Sequence, residues 1–280
     1  MRHSVALCCA KARAHRWVDG FLSCIRLHLR TFTALTLLIL LAIAGTDLQA
    51  QSPAVSAPSI TASEPAALVR GRKETFKLRG FELKGATQLR FPSAEQIVVE
   101  LKESTDAGQA KGLENKVVGD KQLVAEVTLP ADVPTGFIEY VLVTPVGEAK
   151  SKIIVLASES SIDEHEPNDG FRGAQELRVG QSVRGSIQSD KDVDVFAFPS
   201  LAGQQLRITV TSGGPLLMDL AVQCYDARGQ FLAAADDGPS RDPVLTLKTK
   251  IDGPIYLCVS SSHDLGGPWH SYLMTIEEVK

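Results

Sequence analysis

From Ser59 onward the chain consists of short runs that alternate apolar and polar residues, and no long amphipathic helix is visible. Leu123, Ala125, Val127 and Leu129 recur at every second position until Pro130 stops the run. Thr75-Phe76-Lys77-Leu78-Arg79 alternates in the same way and Gly80 breaks it. Alternation at period two places apolar side chains on one face of a strand. Further runs of this kind fall at 88–91, 96–101, 136–143 and 152–156, with turns at Leu83-Lys84-Gly85-Ala86 and Thr144-Pro145-Val146-Gly147. Strands with one apolar face must bury it, and two packed sheets are the stable solution. About seven strands at this spacing predict a β-sandwich in residues 59–157. In the remainder, only Gly170 to Glu176 hints at a helical turn. The expected fold class is all-β, two sandwiches in series.

The N-terminus belongs to a different physical class. Thr31 to Ala44 is uncharged and Leu-rich, lies behind a basic segment, and is followed by Leu48-Gln49-Ala50. That order reads as a signal peptide over 1–50 with cleavage near Ala50, hence a secreted or periplasmic protein. Retention of the segment as an anchor is the alternative, although the apolar run is shorter than the roughly 17–25 residues a spanning helix needs. After cleavage no stable membrane anchor is expected. Residues 51–58 form a Pro/Ser/Ala linker and 158–163 a second one, separating the sandwich at 59–157 from another at 164–280. Residues 1–50 hold six Lys+Arg and two Asp+Glu, so the rest of the chain carries a net charge of −8. An acidic exported region disfavours nucleic acid and anionic membrane surfaces as partners.

Two oxygen-rich segments stand out in the second half. Glu164, Glu166 and Asn168 alternate and Asp169 follows; about twenty residues on, Asp190, Asp192 and Asp194 open the run Val193-Asp194-Val195-Phe196-Ala197-Phe198. If they converge, they suit a hard cation such as calcium, which takes roughly 6–8 oxygen ligands. Ser186 is a weaker candidate. The same residues also suit an ordinary turn, because Asn, Asp and Gly favour turns on conformational grounds alone. Asp236-Asp237-Gly238-Pro239 with Asp242 reads better as a hairpin loop than as a second site.

These residues also carry a resemblance. The pattern E-x-E-P-N-D at 164–169, then G-S-I at 185–187 and D-x-D-x-F-x-F at 192–198, resembles the bacterial pre-peptidase C-terminal domain. It continues through Leu201-Ala202-Gly203-Gln204, Asp219 to Val222 with Asp226 to Gly229, Asp252 to Leu257, and Gly266-Gly267-Pro268 before Tyr272-Leu273. The resemblance implies a jelly-roll-like sandwich beside a secreted enzyme or binding module, in a family where some members bind calcium and polymeric substrates. The first half resembles the immunoglobulin-like IPT/TIG family through Pro65, Gly71, Glu74–Leu78, Gly80-Phe81-Glu82-Leu83, Gly85-Ala86-Thr87 and Pro134-Thr135-Gly136. That implies a spacer or protein-binding platform.

Candidates for other chemistry are few. There is no G-x-S-x-G elbow, and Ser260-Ser261-Ser262-His263-Asp264 places triad residue types side by side, where they rarely converge. His263 and His270 lack a third clear nitrogen or sulfur ligand for zinc. Of five cysteines, Cys8, Cys9 and Cys24 fall in the leader; the strand pattern points Cys224 and Cys258 differently, and a small buried thiol is the ordinary reading of each. Trp269 and Tyr272, in a Gly-rich approach, are the candidate ligand-binding aromatics. The expected function is a non-enzymatic binding or scaffolding protein that meets extracellular polysaccharide or protein. The alternative is an accessory or targeting module of a secreted hydrolase on another chain.

Overall fold

The computed structural model describes residues 56–279. The expected signal peptide, its cleavage point near Ala50, residues 51–55 of the linker, and Cys8, Cys9 and Cys24 lie outside the described residues. The strands belong to one unit, Val55–Lys280. Among the described residues no helix is long and apolar enough to cross a membrane.

The first sandwich is made of β1 (Ser59–Glu64), β2 (Ala67–Val69), β3 (Lys73–Phe81), β4 (Gln88–Arg90), β5 (Val98–Asp106), β6 (Lys121–Thr128), β7 (Gly136–Thr144) and β8 (Gly147–Leu156), with one short helix, α1 (Asn115–Val118). Its sheets run β1-β3-β6-β5 and β2-β8-β7-β4. The alternating run in β6 behaves as its period dictates: Leu123, Ala125 and Val127 are buried and the residues between them are not. Phe76 and Leu78 meet them from β3, Tyr140 and Leu142 from the facing sheet. Phe76 and Tyr140 meet edge to face, ring centroids 5.5 Å apart.

The second sandwich contains β9 (Ser161–Asp163), β10 (Gln175–Glu176), β11 (Ser182–Ser186), β12 (Val193–Ser200), β13 (Gln205–Ser212), β14 (Leu220–Tyr225), β15 (Phe231–Ala235), β16 (Val244–Lys248), β17 (Gly253–Ser261) and β18 (Ser271–Glu278). Its sheets run β16-β13-β18-β11-β9 and β10-β12-β17-β14-β15. Phe196, Phe198, Leu206, Ile208, Val222, Leu257 and Met274 fill the space between them. The segment expected to start as a helical turn at Gly170 turns once and then joins the sheet as β10, parallel to β12.

Two expectations need correction. The linker at 158–163 is not wholly a linker: Ser161–Asp163 is β9, paired in parallel with β11 through Ser161↔Ser182 and Asp163↔Arg184. Its apolar residue, Ile162, packs against the core, which draws the segment into the sheet. The halves are also not merely in series. Arg184 donates to Asp163, to Glu74 at 2.6 Å and to the Ala67 carbonyl at 3.1 Å, and Arg72 reaches Asp163 at 2.9 Å. The Ser63 amide donates to the Gly213 carbonyl at 2.8 Å, and the Ser271 hydroxyl to the Ser63 carbonyl at 3.0 Å. Among the described residues, both cysteines, Cys224 and Cys258, are free. On the paired strands β14 and β17, Cys224 is opposite Leu257 and Cys258 opposite Gln223, so the thiols are on opposite faces of the sheet.

Candidate metal centre

Strand alternation decides where the acidic residues go. In β12 the core-facing set is Asp194, Phe196 and Phe198, because the two aromatic rings have the most apolar surface to hide. Asp194 shares their parity and is carried inside, with no exposed surface. Glu164 leaves β9 at the same end of the sandwich, its amide bonded to the Arg184 carbonyl at 2.9 Å. The turn after it brings Asn168 inside, also without exposed surface, and the Asn168 carbonyl accepts from the Val195 amide at 3.1 Å.

One oxygen each of Glu164, Glu166 and Asp194 lies within 4.8 Å of the others, and so does one each of Glu166, Asp169 and Asp192. Glu166 belongs to both groups. Backbone and amide donors orient these carboxylates. Glu164 accepts from the Ser186 amide at 2.9 Å and from Asn168 Nδ2 at 3.2 Å. Glu166 accepts from the Asn168 amide at 2.8 Å, and Asp192 from the Gln188 amide. Ser186 thus enters as a backbone donor.

Tyr272 stands between two of the carboxylates. Its hydroxyl lies 2.7 Å from Asp194 Oδ2 and 2.9 Å from Glu164 Oε1. A phenol has one proton to donate, so it serves one carboxylate at a time, and Glu164 has the Ser186 amide and Asn168 Nδ2 as donors besides. Burial, followed by the charge of Glu164, pushes the Asp194 carboxyl up to about 9. Burial also raises Glu166, and Asp192, Glu164 and Asp169 add to it. Burial drives the Tyr272 hydroxyl well above its ordinary value, with the two carboxylates reinforcing the shift.

Among the described residues, four buried side-chain polar atoms lack a hydrogen-bond partner; two, Ser161 Oγ and His270 Nε2, lie elsewhere, and two, Asn168 Oδ1 and Asp194 Oδ1, lie here. Buried polar atoms are ordinarily paired, since leaving one unsatisfied costs about 1–3 kcal/mol. Here both belong to an all-oxygen cluster with excess negative charge. A hard divalent cation would answer both deficits, and the donor set fits calcium better than a metal preferring nitrogen or sulfur.

Asp190 is not in this cluster. It binds Lys111 of the first sandwich at 2.9 Å and the Gly266 amide at 3.2 Å, and Lys111 holds its carboxyl below the usual range. The expectation of ligand-binding aromatics also needs correction. Trp269 is 5% exposed and packs with Ala62, Ala110, Val118 and Leu217, the Arg79 guanidinium 5.9 Å from the centre of its ring. A large apolar ring beside the other sandwich is covered by it. Tyr272 is fully buried, and its polar tip is what reaches the site. The role of Tyr272 beside the carboxylates was missed, and its signal is Gly185: the two are direct cross-strand partners, and any Cβ at 185 would collide with the tyrosine ring. The 236–242 segment is a loop whose Asp242 accepts from the Ser212 amide at 3.1 Å. His263 Nδ1 lies 3.7 Å from Asp219.

No family model matches the chain. A probable subtilase-type serine protease of Deinococcus radiodurans is 34% identical over 110 residues, covering 37% of this chain and 15% of that protein. The chain thus accounts for a small part of the length of the curated relative it matches. Among solved structures, the pre-peptidase C-terminal domain of a collagenase from Bacillus anthracis is 15% identical, with 41% of this chain and 100% of that one covered and a TM-score of 0.33. SGBP-B from a mixed-linkage glucan utilization locus of Bacteroides ovatus, solved with a mixed-linkage heptasaccharide, is 12% identical over 81% of this chain and 76% of that one, with a TM-score of 0.26. The sandwich architecture described above rests on the strand ladders themselves.

Proposed function

We propose that this chain is an exported, non-enzymatic binding or scaffolding protein whose second sandwich is stabilised by calcium. The observation that carries the metal reading is the pair of unpartnered buried oxygens, Asn168 Oδ1 and Asp194 Oδ1, within a cluster of carboxylates. Glu164, Glu166, Asn168, Asp169, Asp192 and Asp194 would hold the ion, and Tyr272 would orient Glu164 and Asp194. The ion's contribution is structural: it neutralises like charges and ties the chain entering the sandwich to β12. Extracellular polysaccharide or protein is the proposed ligand class. The accessory-module reading draws on the 110-residue likeness to a protease of which it covers only 15%. In that reading the chain would serve a secreted hydrolase carried elsewhere.

Calorimetric titration of the chelator-treated full chain with calcium tests the site, alongside thermal melts in calcium and in chelator. A ligand that binds only the folded state stabilises it by roughly 2.7 kcal/mol at a hundredfold excess over Kd. The melting temperature should rise with calcium, and Asp192→Asn with Asp194→Asn should abolish the rise while the fold persists. Magnesium should substitute poorly, because it demands a tighter octahedral shell. A melting temperature indifferent to millimolar calcium would refute the site. For the wider function, a glycan and protein array probed with the calcium-loaded chain should return a ligand. Co-purification with a hydrolase and no array signal would favour the accessory role.

A further inference from the structure

The two sandwiches finish their sheets in different ways. In the first, β5 is an outer strand and is defended. Glu100, Lys102, Glu103 and Asp106 charge it, and a bulge between Leu101 and Glu103 interrupts its register. Charges and bulges are how outer strands avoid stray pairing. In the second, β15 is the outer strand of its sheet and has β14 as its ladder partner. Its sequence is Phe231-Leu232-Ala233-Ala234-Ala235, without charge and without proline. The irregularity in its pairing lies at the Leu232 end and leaves Ala233 to Ala235 in regular register with Cys224 to Val222. Phe231 is 61% exposed and Leu232 38% exposed. A cleft runs beside the strand, lined by both of these together with Leu247, Ile251, Pro254 and Ile255.

The charges sit at the two ends of this apolar edge. Arg228 precedes the strand, and Asp236 and Asp237 follow it; all three are exposed. Among the described residues none of the three makes an ion pair within the chain. An outer strand bearing a positive charge at its start and negative charges at its end is complementary to itself when reversed. With Ala233 on the twofold axis, Phe231 of one copy lies opposite Ala235 of the other, and Arg228 of each copy comes beside the Asp237 end of its partner. A parallel arrangement would set Arg against Arg and Asp against Asp.

We propose that β15 is a self-docking edge, through which two copies of this chain pair antiparallel and join their five-stranded sheets into one continuous sheet. The backbone groups of alternate β15 residues, which point away from β14, supply the ladder. The end charges select a second copy over an arbitrary extended peptide and set its direction. A five-residue edge buries little surface, which places the interface at the weak end of the specific range, with micromolar affinity.

Sedimentation of the full chain over roughly 1 to 200 μM brackets that affinity. Dimer should appear with rising concentration. Arg228→Asp alone, and Asp236→Arg with Asp237→Arg alone, should each weaken self-association by about tenfold or more, since attraction is replaced by repulsion at both ends. An equimolar mixture of the two variants restores opposite charges at both ends, so it should form a one-to-one heterodimer. Recovery on mixing also shows that both variants are folded. Three outcomes would overturn the proposal: a monomer throughout the range, self-association unchanged in both variants, or variants that stay monomeric when mixed.

Discussion

Asp194 is the most informative residue to perturb, because its charge is expensive without a cation and useful with one. In the cation-free protein its carboxyl is raised from an ordinary value of 3.8 to about 9, by burial first and by Glu164 next. The folded protein therefore holds a proton that the unfolded chain releases. This group's contribution to stability is full below about pH 4 and is lost as pH rises towards about 9. Each pH unit in that window costs about 1.4 kcal/mol, so at pH 7 about 4 kcal/mol has been forfeited. Asp194→Asn keeps the side chain's shape and still offers an oxygen to the Tyr272 hydroxyl, but it cannot ionise. In chelator at pH 7 the variant should therefore melt higher than the parent. The upper bound is about 4 kcal/mol, or roughly 8–16 °C for a chain of this size. Calcium should reverse the order: it stabilises the parent increasingly as pH rises and does little for the variant. The assay is a set of thermal melts of both full-length proteins from about pH 5 to pH 8, in chelator and in calcium. The difference between the two proteins cancels every titration they share. A variant that melts below the parent in chelator, or a difference that does not widen with pH, would sink the argument.

Three further outcomes follow from the packing. Gly185→Ala sets a methyl group into the Tyr272 ring, so it should lower the melting temperature and weaken calcium binding together, as read by melts with and without the ion. Arg184→Met leaves Glu74 without its partner in a pair whose side chains are each 10% exposed, and should cost about 3–5 kcal/mol in urea unfolding of the full chain. Burial pushes the Cys224 thiol up to about 12 and the Cys258 thiol to about 11. Both should react slowly with a thiol reagent until denaturant is added, and reductant should leave the melting temperature unchanged.

The sequence by itself determined the class of fold and the oxygen-donor chemistry of the candidate site. Period-two alternation in Leu123, Ala125, Val127 and Leu129 permits a strand with one buried face and little else, and the structure buries all four, the first three within β6. The acidic residues on the two sides of the second sandwich were legible as oxygen donors because residue type sets ligand chemistry. What alternation cannot supply is which parity faces inward. Val193, Val195 and Ala197 form one face of β12, but Phe196 and Phe198 have more apolar surface to bury, so Asp194 goes inside with them. Asp190, two positions before Asp192, is drawn away to Lys111, a partner 79 residues distant that no local pattern could name. Trp269 looked available beside its glycines, yet the first sandwich covers it. The same holds for Ser161–Asp163, polar enough to read as a linker until β11 offers its open edge. Local sequence sets the period and the chemistry of each side chain. Burial, charge pairing and the accessibility of an edge depend on groups far away in the chain, so only the assembled tertiary structure decides them.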